Sequence, residues 1–255
     1  MHRYCRVVSV GKVDRGDFYE SRVQAITDEP FHEMYGFVDA FALRLMDRYE
    51  RQPVDTTLEI DPAYLDNPER TKHFYRRLFD KDGNHTQEFI TIASETIGLW
   101  IEDSLEHVLY AYGGIPHNSD PAYDVLSIYD EEGTPRLRAV QVKATEEDLQ
   151  ANCNKALAKF EQLENGDYNA ELSASIDLIV EHRRAPDGLI ARELKLNRRY
   201  RVTVVHGQER DGILIMTTYH EKIRGDPIRR SSVLMKIHWP NLWECIAGRV
   251  YAQLT

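Results

Sequence analysis

Residues 101–145 read IEDSLEHVLYAYGGIPHNSDPAYDVLSIYDEEGTPRLRAVQVKAT, and the expected architecture is built outward from them. Apolar residues recur at helical spacing and predict a helix over residues 87–112, ended by the glycine pair Gly113–Gly114. Two strands are predicted next, over residues 123–129 and 136–144, joined by a hairpin-like loop. The expected core is therefore a helix followed by a pair of strands.

Further elements are predicted on both sides of this core. A proline-containing connector at 50–68 is the best candidate for a domain boundary, which divides the chain into an N-terminal extension (1–68) and a larger domain (69–255) with a basic C-terminal part. The expected fold class is α/β, with a central mixed sheet flanked by helices. The predicted strands cover 3–10, 200–206, 212–219 and 233–238, and the predicted helices cover 31–49, 69–79, 145–163, 170–182 and 240–254.

Composition excludes several classes of protein. The chain has 255 residues with 42% hydrophobic residues, which is enough to bury a core. No apolar run approaches the roughly 20 residues of a membrane span, and the N-terminus lacks an apolar signal core. Three dispersed cysteines form no zinc or disulfide pattern and are typical of reduced thiols. A cytoplasmic protein without membrane association is expected.

Charge is distributed unevenly along the chain. The net charge of −10 argues against simple coating of nucleic acid. Residues 181–236 nevertheless carry 13 basic and 7 acidic side chains, a local excess of 13 − 7 = +6. The basic clusters in this segment are candidates for phosphate contacts, and they comprise Arg183–Arg184, Arg198–Arg201 and Arg229–Arg230.

A candidate metal site lies on the two predicted strands of the core. Asp124 opens the first strand, with Asp120 as a competing acid just before it. Gln141 and Lys143 are two residues apart on the second strand and therefore share a face. Carboxylate and amide oxygens suit Mg²⁺, and a lysine beside the ion can offset charge that develops on a phosphoryl group. This set predicts metal-dependent phosphodiester chemistry.

The motif Gln141-Val142-Lys143, preceded by Asp124, resembles the PD-(D/E)xK (restriction-endonuclease-like) nuclease superfamily, in its Mrr-like Q-x-K branch. That branch has a glutamate in the preceding helix, followed by a glycine near the helix end. Glu102 with Gly113 is the best match, and Glu106 is the alternative. The resemblance covers residues 95–163, as helix, strand, strand and helix.

The resemblance implies a Mg²⁺- or Mn²⁺-dependent endonuclease that hydrolyses DNA in bacterial anti-phage (antiviral) defence. Glu102, Asp124 and Gln141 would bind the metal, and these three with Lys143 would be catalytic. The net negative charge of the chain predicts a partner protein, such as a helicase or another defence subunit. RNA remains an alternative substrate. The alternative function is a non-catalytic subunit that retains the nuclease-like fold as a scaffold.

Overall fold

A computed structural model describes most of the predicted core and part of its surroundings. The described residues are 5–13, 18–25, Phe41, Leu45, 76–104, 108–113, 122–145, 149–182, 191–196, 198–206, 230–236 and 242–254. The predictions for 50–68 and 212–219, and those for most of 31–49 and 69–79, lie outside them. Glu106 and Asp120 also lie outside the described residues.

The described strands are β1 (Cys5–Val13), β2 (Phe18–Ala25), β3 (Val108–Gly113), β4 (Val125–Glu131), β5 (Thr134–Thr145), β6 (Arg199–His206) and β7 (Arg230–Lys236). The described helices are α1 (Gln87–Ser104), α2 (Leu149–Asn165), α3 (Asn169–His182), α4 (Ala191–Leu196) and α5 (Leu242–Leu254).

The described strands form one seven-stranded sheet in the order β1-β2-β7-β6-β5-β4-β3. The neighbours β2–β7, β7–β6 and β6–β5 are parallel, and the other neighbouring pairs are antiparallel. The predicted α/β class with a mixed sheet flanked by helices is therefore confirmed.

The predicted hairpin is β4 and β5, which pair antiparallel from Val125↔Val140 to Glu131↔Thr134. Its two-residue turn consists of Glu132 and Gly133, with φ of 53° and 81°. Positive φ at both positions is the turn geometry that matches the twist of antiparallel strands, and glycine adopts it without a steric cost. This turn fixes the register that brings the start of β4 beside the middle of β5.

The two faces of the sheet are covered by different helices. On one face, Val125, Val140 and Val142 pack with Leu99 of α1. The approach is so close that a Cβ atom on Gly98 would lie 2.2 Å from a methyl group of Val142. On the other face, alternate residues of β4, β5 and β6 pack against α2 and α3 in the largest core cluster of the described chain, which includes Leu126, Ala139, Val202, Phe160 and Ile176.

The prediction of one helix over 87–112 was wrong in its last turns. Helix α1 ends at Ser104, and Val108–Gly113 forms β3, which pairs antiparallel with β4. The run Val-Leu-Tyr-Ala-Tyr suits a half-buried sheet surface, and pairing with β4 outweighs its helical periodicity. Gly113 is consequently the last residue of a strand, not a helix cap. Strand β2 was not predicted at all.

None of the described helices combines the length and the apolar composition required to cross a membrane.

Candidate metal site

Asp124 is held rigidly between β4 and β5. Its backbone N–H donates to the carbonyl of Val140 at 2.8 Å, immediately before the ladder of the hairpin begins. Its carboxylate oxygen Oδ2 accepts the backbone N–H of Val142 at 2.6 Å and also accepts Nε2 of Gln141. Hydrogen bonds to an ionised acceptor are strong, so the carboxylate has a fixed position at the head of β4.

Gln141 completes a small oxygen-rich group with Asp124. The residue is only 2% exposed, and its Oε1 is buried without a hydrogen-bond donor, while its Nε2 donates to Asp124. A buried amide oxygen without a partner is costly. A half-turn of the amide brings Oε1 beside the Asp124 carboxylate, and a hard cation between the two oxygens would satisfy both. As described, Gln141 turns its amide nitrogen to Asp124, so a cation held by both side chains requires this half-turn of the amide.

Lys143 belongs to the same face of β5 as Gln141. The register of β5 with β6 is regular from Arg138↔Arg199 to Thr145↔His206, so side chains two residues apart stand on one side. Lys143 is partly exposed, whereas Gln141 is buried. The position of the ammonium group relative to the Asp124–Gln141 pair stays a prediction.

Glu102 belongs to α1, which covers the opposite face of the sheet. Its side chain is fully buried. Oε2 accepts the hydroxyl of Ser127 at 2.7 Å and Nη1 of Arg138 at 3.1 Å, and Oε1 accepts Nη1 of Arg201 at 2.6 Å. By strand alternation Arg138 faces the side of Val140 and Val142, away from Gln141. The role of Glu102 as a metal ligand stays a prediction, and its carboxylate is already engaged by two cations.

The buried ion pairs set the charge state of Glu102. Burial by itself would raise the pKa of this carboxyl, but Arg201, Arg138 and the Ser127 hydroxyl outweigh burial and lower its pKa to about 2. Burial also lowers the pKa of Arg201, to about 10, an effect that Arg138 strengthens and Glu102 opposes. The pair is therefore fully ionised near neutral pH.

Protonation of Glu102 should destabilise the fold. Its pKa is about 2 in the folded protein against an ordinary 4.5, so its contribution is present above pH 4.5 and is lost as the pH falls toward 2. The shift corresponds to at most about 3.5 kcal/mol. Urea denaturation at several pH values should show a gap in unfolding free energy between wild type and Glu102→Gln that narrows below pH 4.5. A gap independent of pH would contradict this assignment, because other carboxyl groups cancel in the comparison.

The oxygen ligands of the site are few. Among the described residues, no three His, Cys, Asp or Glu side chains are grouped so as to hold a metal ion. Asp124 and Gln141 therefore supply one carboxylate and one amide. Mg²⁺ in proteins commonly retains several coordinated waters and binds one or two carboxylates. A site with one protein carboxylate and one amide is compatible with that coordination.

The sequence interpretation missed the buried role of several arginines. Arg199 and Arg201, assigned to a basic cluster for phosphate contacts, are 8% and 7% exposed and pair with Glu131 and Glu102. Arg198 pairs with Glu164. The signal that could have found the pairs is their spacing, since Arg-x-Arg on a strand places both side chains on one face.

A scan against protein-family models finds none that matches the chain, and a search of the curated proteins finds none similar to it.

Proposed function

We propose that this protein is a nuclease of the PD-(D/E)xK type that hydrolyses DNA with Mg²⁺ or Mn²⁺. The observation that carries the proposal is the contact of Asp124 with Gln141, whose amide oxygen is buried without a donor. Lys143 follows two residues later on the same strand face. An acid, an amide oxygen and an ammonium group on adjacent strands are the groups that metal-dependent phosphodiester cleavage needs.

Each residue has a distinct role in this proposal. Asp124 and Gln141 hold the cation through their side-chain oxygens, and the hydrogen bond from the Val142 N–H keeps the carboxylate in place. The bound ion supplies polarisation of a phosphoryl oxygen and a water of lowered pKa. Lys143 donates to a phosphate oxygen and offsets the negative charge that builds up as the bond to phosphorus breaks.

Glu102 acts at a distance from the reaction in this proposal. Through Ser127, Arg138 and Arg201 it ties α1 to three neighbouring strands, β4, β5 and β6. The same helix packs on Val142, which lies between Gln141 and Lys143. We therefore assign Glu102 a positioning role, as a buried anchor that fixes the strand on which the site is built.

The proposed biology is bacterial anti-phage defence with a partner protein. A net charge of −10 is unfavourable for unassisted contact with DNA, which is itself strongly negative. A helicase or another defence subunit would bring the enzyme to its substrate. Cleavage by the isolated protein should then be slow, and addition of the cognate partner should accelerate it.

Asp124→Asn should weaken metal binding at least about tenfold, because a neutral amide replaces the single carboxylate of the described donor set. Isothermal titration calorimetry with MgCl₂ and with MnCl₂ measures this effect on the full chain. Asp177→Asn, on the exposed side of α3, is the matched control and should bind metal as the wild type does.

Nicking of supercoiled plasmid is the companion assay. The wild type should nick plasmid with Mg²⁺, and a chelator should stop the reaction. Equal metal affinity in the wild type and in Asp124→Asn would contradict the assignment of Asp124 as a metal ligand.

A second candidate function is a non-catalytic subunit with a nuclease-like fold. The small number of protein ligands favours this alternative. Gln141 occupies the position at which a second strand carboxylate would strengthen metal binding. Among the described residues, no three His, Cys, Asp or Glu side chains are grouped so as to hold a metal ion. Wild-type protein that neither binds Mg²⁺ nor Mn²⁺ nor cleaves nucleic acid would support this alternative.

A further inference from the structure

Tyr123 directly precedes Asp124 in the chain and is buried, with only 2% of its surface exposed. Its ring belongs to the core cluster that the sheet forms with α2 and α3. Its hydroxyl donates to Oγ of Ser175 at 2.8 Å and lies 3.3 Å from the carbonyl oxygen of Glu171, and both partners belong to α3. The contact therefore connects the residue that leads into β4 with a helix residue 52 positions further along the chain.

The backbone around Asp124 is held from two sides. The ladders of β4 with β3 and β5 begin at Val125, one residue after Asp124. The backbone N–H of Asp124 donates to the Val140 carbonyl at 2.8 Å, and the Val142 N–H donates to its carboxylate at 2.6 Å. Regular pairing thus fixes the residue after Asp124, and the residue before it is Tyr123. An anchored Tyr123 side chain limits the backbone on the remaining side of Asp124.

The hydroxyl of Tyr123 is a lasting donor at neutral pH. Burial raises the pKa of Tyr123 to about 12, although the hydrogen bond with Ser175 opposes this effect. The hydroxyl therefore keeps its proton and donates throughout the neutral range. A phenylalanine at this position would keep the apolar ring in the core but would lose the polar contact with α3.

We propose that Tyr123 is a positioning residue for Asp124: its hydrogen bond to Ser175 connects the start of β4 to α3 and so fixes the Asp124 carboxylate against the N–H of Val142. For metal binding, this inference rests on the proposed function, in which Asp124 is the carboxylate that holds the cation. Mutation of groups that orient a metal ligand typically lowers metal affinity by about 10–100-fold. Tyr123 acts through the backbone and does not touch the carboxylate, so the expected effect is smaller.

Tyr123→Phe removes only the hydroxyl, and two measurements on the full chain follow its effect. The first is the chemical shift of the Val142 amide proton in the metal-free protein, which reports the hydrogen bond to Asp124 and requires no nuclease activity. This resonance should move upfield, because the bond lengthens when the carboxylate is displaced. The second is calorimetric titration with MgCl₂, in which Tyr123→Phe should bind Mg²⁺ about threefold to tenfold more weakly than the wild type.

Tyr200→Phe is the matched control, because it also removes a buried tyrosine hydroxyl from the same core cluster. That hydroxyl contacts Glu164 and Arg198, which lie on α2 and just before β6. Tyr200→Phe should lower the melting temperature at least as much as Tyr123→Phe does. It should leave both the Val142 amide resonance and the Mg²⁺ affinity as in the wild type, which a merely structural role of Tyr123 would not predict.

Variants of Ser175 test the partner of the hydrogen bond. Ser175→Ala should cause a smaller change in the same direction as Tyr123→Phe, because the Glu171 carbonyl remains as an acceptor. Ser175→Thr keeps the hydroxyl and should restore the wild-type values.

The outcomes separate the positioning role of Tyr123 from the proposed function. An unchanged Val142 amide resonance in Tyr123→Phe, or an equal displacement in Tyr200→Phe, would overturn the positioning role. Unchanged Mg²⁺ affinity in Tyr123→Phe, with a wild type that binds Mg²⁺, would also overturn it. A displaced resonance in Tyr123→Phe alone, with a wild type that binds neither Mg²⁺ nor Mn²⁺, would support the positioning of Asp124 and reject the proposed metal-dependent function.

Discussion

Glu102→Gln should remove about 3–5 kcal/mol from the free energy of unfolding, because it leaves two buried arginines without their carboxylate. The side chain is fully buried and accepts hydrogen bonds from Ser127, Arg138 and Arg201. A glutamine of the same shape has one acceptor oxygen, and its amino group would meet a guanidinium. Domains of this size are stable by about 5–15 kcal/mol, so the loss is a large part of the total.

Urea denaturation at pH 7 measures this loss, with Glu161→Gln as the matched control on the exposed side of α2. The control should change stability by less than about 0.5 kcal/mol. The double variant Glu102→Gln/Arg201→Gln should be less destabilised than the sum of its single variants, because removal of one cation relieves the charge imbalance. Additive losses would show that the two groups do not interact as the structure has them.

Lys143→Ala should lower the rate of Mg²⁺-dependent plasmid nicking at least about a hundredfold, the size of effect seen when one charged donor to a reacting group is removed. The side chain is partly exposed, so its loss should leave the melting temperature nearly unchanged. The initial rate of nicking, measured at saturating Mg²⁺, separates a loss of catalysis from a loss of metal binding.

Lys155→Ala, on the exposed side of α2, is the control for a general loss of positive charge and should retain the wild-type rate. Lys143→Ala and Asp124→Asn also make different predictions, since the first should keep its affinity for Mg²⁺ and the second should lose it. Full nicking activity in Lys143→Ala would refute the catalytic assignment even if the metal site were correct.

Several features of the fold were accessible from local sequence. The Glu132–Gly133 turn lies between two strand-like runs, and turn residues between such runs specify a hairpin. Alternation along β5 predicted that Val140 and Val142 face one side of the sheet and that Gln141 and Lys143 share the other, a side that α2 and α3 also cover. The α1 face does hold the two valines, packed on Leu99. These patterns act over a few neighbouring residues, so they do not depend on distant parts of the chain.

Other features depended on contacts between distant parts of the chain. The segment Val108–Gly113 has helical periodicity, but an antiparallel partner, β4, makes it a strand. Glu102 was assigned as a metal ligand by the resemblance, and that role stays a prediction. Its ion-pair partner Arg201 is 99 residues away in the sequence and is brought to it through the parallel pairing of β5 and β6.

The amino-acid order alone specified the hairpin, the α/β class and the placing of Asp124 beside Gln141, because side-chain alternation and turn chemistry act over a few residues. The assembled sheet assigned the two faces, with the polar pair on one and the Glu102 ion pairs on the other, because that outcome depends on which strands pair and where α1 lies. Pairing between strands far apart in the chain is a balance of burial and hydrogen bonding over the whole sheet, which no short segment encodes.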